Sequence, residues 1–317
     1  MENFDAKKFA LTLKCKTSLA QIAAGVLCIG MMASVYFTEE IALGRVIVAL
    51  LLYYLLNTVI VLRANAKLQS LLYQDLAPEQ LLDVLREGKI YSRSGLVELQ
   101  GCLAAGQWQR VADICAQKLN DPKYRLKKHH YMGFLADMYF NLADDVRLRE
   151  VCDAFDAYAA VSKRDAVMQR MRDPMAYYRD YLNGAYERCF SHREKQLAQA
   201  AKQKSMAYAT MIRDFEHAVV CLRAGRTEEA RTLFAHVATD APQLALASLA
   251  QTYLEAMEDG TALTAPIESV SPSGTDALSP LPRAYWVLRM IRQVAIIVSV
   301  LVLAVAIFLL ALVKIYG

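Results

Sequence analysis

Three long apolar runs, two near the start of the chain and one that stops just short of its end, restrict the fold more than any other feature. Leu19–Phe37 is interrupted only by Gln21 and Ser34, Ile41–Leu62 by Arg45, Asn57 and Thr58, and Val294–Val313 by Ser299 alone. A helix rises about 1.5 Å per residue and the hydrocarbon core of a bilayer is about 30 Å thick, so roughly 20 apolar residues cross it. All three runs meet that length. Arg45 lies near one end of its run, where its long side chain can snorkel toward headgroups. Three such runs in one chain argue against buried core helices of a water-soluble protein. A secretory signal peptide is the rival reading of the first run. It suits the lysine-rich start, but a small-x-small cleavage site is missing and a second apolar run follows within a few residues.

Cation placement sets the expected orientation. Lys7, Lys8, Lys14 and Lys16 precede the first run, Thr38-Glu39-Glu40 separates the first two, Arg63 and Lys67 follow the second, and Arg283, Arg289 and Arg292 precede the third. The bias of Lys and Arg to the inner side puts the N-terminus and the long middle segment in the cytoplasm, with Lys314 the one charge against it. The cell (inner) membrane is the expected location. Cys102, Cys115, Cys152, Cys189 and Cys221 are scattered singly within helical patterns. Buried thiols of a reducing compartment are distributed in this way, whereas a disulfide framework would show pairing.

The middle segment is long enough for a core of its own, and its apolar residues recur at helical spacing, as in Leu81, Leu82 and Leu85, or Val111, Ile114, Cys115 and Leu119. No stretch alternates like a strand. Short turns fall at Ala105-Gly106-Gln107, Leu142-Ala143-Asp144, Asn183-Gly184-Ala185 and Ala224-Gly225-Arg226, with spacings of 37, 41 and 41 residues between their central positions. Recurrence at this period, with two helices per unit, is the signature of a helical solenoid.

The last unit has Ala218, Cys221, Ala224, Gly225, Ala230, Phe234, Val237 and Pro242 in a pattern that resembles a tetratricopeptide repeat. Gly101 to Pro122 resembles the family more loosely. The unit from Ala136 to Phe155 lacks the turn glycine, and the unit around Gly184 places Arg193 where a large apolar residue is expected. Generic α-α hairpins are the alternative. The resemblance implies an all-α, TPR-like solenoid of α-α hairpins flanked by transmembrane helices, two N-terminal and one C-terminal. It also implies that the first helices of successive hairpins line a groove for a peptide or partner protein. In that register the inward positions are Arg93, Gln100, His130, Asp137, Asn141, Tyr178, Leu182, Val219 and Arg223, polar groups to fix a backbone and aromatic faces to bury area. The competing reading is ordinary packing and solvated helix faces.

The expected organisation is a basic N-terminus (1–18), a first span (19–37), an external turn (38–40), a second span (41–62), a cytoplasmic helical domain (63–257), a flexible linker (258–290) rich in Ser, Thr, Gly and Pro, a third span (291–313) and an external tail (314–317). Ala20, Ala24 and Cys28 form a small-residue stripe on the first span, and Asn57 on the second is placed to hydrogen-bond across to a neighbour. That stripe serves either packing within the hairpin or docking onto another integral membrane protein.

Between Lys163 and Lys204 ten cations stand against five acids, and a smaller basic cluster, Lys123, Arg125, Lys127 and Lys128, precedes His129 and His130. These surfaces suit anionic lipid headgroups or a solvated, salt-bridged face. With a net charge of only +4 and interleaved acids, a nucleic-acid partner is not expected. No phosphate loop, His-Glu-x-x-His, Cys-x-x-Cys or Gly-x-Ser-x-Gly occurs, so neither an enzyme nor a cofactor is expected. His217 and Cys221 share a helix face, but the repeat pattern already accounts for Cys221 as a packing residue. The expected role is a membrane-anchored scaffold or adaptor; the alternative is an accessory subunit of a membrane complex.

Overall fold

Helices account for the whole regular structure of the computed structural model, which describes residues 4–37, 43–88, 90, 95–161, 175–200, 207–260 and 265–274. Arg93, the third apolar run and residues 261–264 and 275–290 of the expected linker lie outside these residues. In chain order the helices are α1 (Ala6–Phe37), α2 (Leu43–Tyr73), α3 (Pro78–Glu87), α4 (Leu96–Ala104), α5 (Trp108–Asn120), α6 (Lys128–Asn141) and α7 (Asp145–Val161). They are followed by α8 (175–182), α9 (Tyr186–Ala200), α10 (Ala207–Arg223), α11 (Thr227–Asp240) and α12 (Ala245–Glu258). A 3-10 segment, Pro122–Lys127, leads into α6. The chain divides into two units, residues 1–68 with 280–317 and residues 69–279.

In the first unit α1 and α2 pair antiparallel. The side-chain amide of Gln21 donates to Asn57 Oδ1 at 2.7 Å, and Gly25 faces the Tyr53 ring. Ala24 and Cys28 are buried and Ala20 is half-buried, so the small-residue stripe lines the helix contact. Leu19, Ile22, Leu27, Val48, Leu51, Leu55 and Leu62 are each more than half exposed. Among the described residues no helix is long and apolar enough to cross a membrane. The side chains of residues 26, 29, 30, 32–47 and 50 are not among the described residues.

The second unit is built of hairpins with one recurrent turn. At α4–α5, α6–α7, α8–α9 and α10–α11 the central turn residue is left-handed: Gly106 (φ 73°), Ala143 (φ 56°), Gly184 (φ 70°) and Gly225 (φ 78°). In each turn the next residue's N–H bonds back to a carbonyl of the preceding helix, Gln107 to Cys102, Asp144 to Tyr139, Ala185 to Asp180 and Arg226 to Cys221, at 2.8–2.9 Å. This is the Schellman closure, which satisfies the carbonyls left unpaired at a helix end. The second unit of the repeat therefore makes the same turn with alanine in the glycine position. Asp144, itself buried, then starts α7 by accepting from the Arg147 backbone N–H at 3.1 Å, an N-cap.

Packing follows the same register. Val111, Leu148, Cys189 and Ala230 occupy equivalent places after their turns, and all are buried. Phe140 fills the space between hairpins with its ring 4.9–6.2 Å from those of Tyr177, Tyr178 and Tyr181. Phe215, Phe234 and Tyr253 form a second cluster across α10, α11 and α12. At Arg193, where an apolar residue was expected, an ion pair with Asp214 closes the gap, both side chains being only 12–13% exposed.

Two findings depart from the sequence reading. An open solenoid touches only neighbouring repeats, but here α12 packs against α4, a Cβ on Gly106 would lie 2.9 Å from that of Ala245, and Arg223 reaches Asp145 at 3.2 Å. The last hairpin thus returns to the first two. The second concerns the stretch expected to be a flexible linker: residues 265–274 are bonded to the helices. The Ile267 N–H donates to the Leu142 carbonyl at 2.9 Å, and Val270 is buried. Its serines supply hydrogen-bonding groups that composition alone assigns to solvent.

Candidate functional site

The first helices of the hairpins, with the last turn of α2, bring a polar and aromatic set to one inner face of the second unit. Tyr178 of α8 donates its hydroxyl to Asp137 Oδ1 of α6 at 2.7 Å. Gln100 of α4 donates to the Tyr73 hydroxyl at 2.9 Å, and the Tyr73 ring meets that of Tyr208 of α10 edge to face, with centroids 5.6 Å apart. Glu216 of α10 lies beside the same Tyr178 hydroxyl. Asp137, Glu216, Gln100 and Tyr73 are half-buried, whereas Tyr178 and Tyr208 are buried. The arrangement is a recess of five elements with two carboxyl groups on one phenol.

Burial dominates its electrostatics. Desolvation pushes the Asp137 carboxyl up to about 6, with the Tyr178 hydrogen bond opposing. Glu216 is pushed up to about 8 by burial and then by the Asp137 charge, while Arg193, Tyr178 and Arg213 pull it down. Burial raises both carboxyl groups and the Asp137 charge raises Glu216 further, which favours one proton held between them, so the recess presents a donor and an acceptor. A backbone amide and carbonyl laid across the recess would find both, together with the face of Tyr73.

Of the residues selected from sequence, Gln100, Asp137 and Tyr178 meet here. Asn141 and Val219 are buried. Leu182 is half-buried, its carbonyl accepting from Arg149 at 3.2 Å, and Arg223 is engaged with Asp145. The His130 ring lies 4.1 Å from that of His129, and burial with the nearby Lys127 lowers its pKa. Tyr73, Tyr208 and Glu216 escaped the sequence reading. Tyr73 lies beyond the repeats on α2, and an acid at Glu216 within the amphipathic α10 looks like any solvated position.

Lys123 and Lys127 are exposed and Lys128 half-buried; the side chain of Arg125 lies outside the described residues. In the longer basic stretch Arg179, Arg188 and Arg193 pair with Asp156, Asp180 and Asp214, a salt-bridged face. The donors of His217, Cys221 and Glu229 lie within 4.8 Å of one another, Glu229 coming from the neighbouring α11. That set could coordinate a divalent ion. The spot is also engaged internally: His217 meets Glu229 at 3.3 Å, Arg226 contacts Glu229 at 3.4 Å, and burial holds the Cys221 thiol up at about 11.

The other thiols of this unit behave alike. Burial pushes Cys102 and Cys189 up to about 12 and Cys152 to about 11, and raises Cys115 as well. The thiolate is the reactive form. Iodoacetamide at pH 7.5 is therefore expected to label the exposed Cys15 of the native protein and none of these five, which become reactive only on unfolding. Mass spectrometry of tryptic peptides reads this directly; native labelling of any of the five at a rate like that of Cys15 would contradict the burial described.

Compared with family models, with curated proteins and with solved structures, the chain has no match among them.

Proposed function

We propose that the second unit is a protein–protein interaction module of TPR-like hairpins, held at a membrane by the apolar segments around it, with its inner face taking a peptide or partner protein. The observation that carries this reading is the convergence of Gln100, Asp137, Tyr178, Tyr73, Tyr208 and Glu216 from five elements on one half-buried face. Paired donors and acceptors beside aromatic rings suit an extended main chain, which brings one of each per residue. Membrane attachment is supported by the apolar runs and by the exposed leucines, isoleucine and valine around the α1–α2 pair, which water would not tolerate as one surface. The lysine-rich start supports a cytoplasmic position for the module.

The test uses the full chain in its own cells. A photo-crosslinking residue at position 100 is expected to give a discrete adduct that disappears when Asp137→Asn and Glu216→Gln are combined. The same probe at the exposed position 235 should give none. Equal adducts at both positions, or none at 100, would sink the module. Extraction with alkaline carbonate tests the anchor separately, since a chain released into the supernatant is not integral.

A second reading is favoured by the Gln21–Asn57 bond and the apolar perimeter of α1–α2: an accessory subunit whose apolar helices are recognised by a larger membrane complex. It expects a mild detergent extract to run far above the 35.4 kDa of the chain.

A further inference from the structure

Residues 267–273 are held by a set of side chains that reads like a binding site. The Arg147 guanidinium donates both to the Val270 carbonyl and to Ser271 Oγ, the latter at 2.6 Å. Gln109 donates to the Ser271 carbonyl at 2.7 Å. The Asp113 carboxylate accepts from the Ser273 N–H and, at 2.9 Å, from its hydroxyl. At the other end the Leu142 carbonyl takes the Ile267 N–H.

These groups are preset by their own helices. Arg147 is steadied by Asp144 at 3.6 Å and by the Tyr139 ring at 5.8 Å, and Gln109 bonds to Asp113 at 3.2 Å. Asp113 and Asp144 are both buried. A carboxylate is expensive to bury without donors, and at Asp113 residues 109 and 273 supply them. The bound segment contributes one apolar anchor, Val270, 2% exposed, while Ser271, Pro272 and Ser273 keep much of their surface in solvent. So little apolar area is committed that the hydrogen bonds gained and the chain entropy lost are of similar size. Such a segment can exchange.

We infer that the face formed by α5 and the start of α7 is a peptide-recognition surface for an extended apolar–Ser–Pro–Ser segment, and that residues 270–273 occupy it in cis. Arg147 and Gln109 read two successive carbonyls, Asp113 reads the serine amide and hydroxyl together, and burial of the Val270 side chain sets the register. Pro272 lacks an N–H and fixes an extended preceding residue, so it places both serines without leaving a donor unpaired. The surface lies on second helices of the hairpins, apart from the inner face of the proposed module, and is independent of it. Because tethering supplies an effective concentration in the millimolar range, a segment of the same chemistry from elsewhere competes only after the cis copy leaves.

The experiment uses the full chain in detergent micelles, amide hydrogen exchange, and a fluorescent peptide copying residues 265–274. In the unaltered protein the amides of Ile267 and Ser273 are expected to exchange far more slowly than free chain, and the peptide to bind weakly. Val270→Asp should bring both amides to free-chain rates and tighten peptide binding at least tenfold. Adding Arg147→Ala should remove the gain. Ser273→Asp, which sets a charge against Asp113 and changes no helix residue, is the second release variant and should act alike. Unprotected amides in the unaltered protein, unchanged peptide affinity in both release variants, or a gain that survives Arg147→Ala would each overturn the inference. None of these readouts depends on Asp137 or Glu216.

Discussion

Replacing Gly106 by valine is expected to destabilise the helical unit by about 2–5 kcal/mol, combining a left-handed backbone forced on a branched residue with overpacking. Two causes act at this position. Its φ of 73° disfavours any side chain, and a Cβ would stand 2.9 Å from the Cβ of Ala245, the first residue of α12. A close contact with backbone-borne atoms cannot be relieved by a rotamer change, so α12 must move off α4. At Gly184 and Gly225 nothing lies within 4 Å of an added Cβ. There Gly→Ala should cost only the conformational term, about 1 kcal/mol. Ala143 already bears that strain at φ 56°, so Ala143→Gly should be neutral or mildly stabilising. Chemical denaturation of the full chain in micelles, followed by circular dichroism at 222 nm, ranks the four variants. If Gly106→Val proved no worse than Gly225→Ala, the return of the last helix onto the first hairpin would be wrong.

The hairpins were legible in the sequence because their turns depend on local chemistry. A Schellman closure needs one left-handed residue and a following N–H, and glycine marks three of the four places. Ala143 shows that the mark is dispensable when flanking helices are well packed. Leu148, Cys152 and Phe155, at 0–2% exposure, hold α7 in place whichever residue turns the corner. Arg193 shows the same from the other side: the site calls for filled volume, and an ion pair with Asp214 fills it. What was not legible depends on pairs far apart in sequence. Tyr73 meets Tyr208, Gly106 meets Ala245, and Asp113 meets Ser273 across the whole unit, and neither helix period nor turn spacing encodes those distances. The inner face was half legible for a related reason. Gln100, Asp137 and Tyr178 follow from the repeat register, whereas Glu216 becomes notable only once a second carboxyl group faces it from another hairpin. Composition misassigned residues 265–274 because Ser, Pro and Gly describe what a segment can do in isolation.

Glu216→Gln is expected to raise the stability of the protein at pH 8.5 by roughly 2–4 kcal/mol, since each unit of pKa shift is worth about 1.4 kcal/mol between protonation states. Glu216 is faced by Asp137 on α6, Tyr178 on α8, Arg193 on α9 and Arg213 on its own helix, with burial as the largest influence and Asp137 next. Its folded pKa of about 8 lies above the ordinary 4.5. Between those values the folded chain holds a proton that the unfolded chain has lost, so stability falls as pH rises across that window. Asp137, pushed up from 3.8 to about 6, adds a smaller fall in the same direction. The histidines act oppositely. Burial lowers His130 and His217 below 6.5, so the unfolded chain takes up protons first on acidification and stability falls below that pH. The unaltered protein should therefore lose stability along an alkaline limb from about pH 6.5 to 8, where Glu216 acts without opposition, while below pH 6.5 the histidines oppose the carboxyl groups in an acid limb. In Glu216→Gln the alkaline limb should flatten while the acid limb stays. Thermal unfolding of both proteins between pH 5 and pH 9 measures this, and equal alkaline slopes would show that Glu216 is ionised in the folded state and that the two carboxyl groups do not share the Tyr178 hydroxyl.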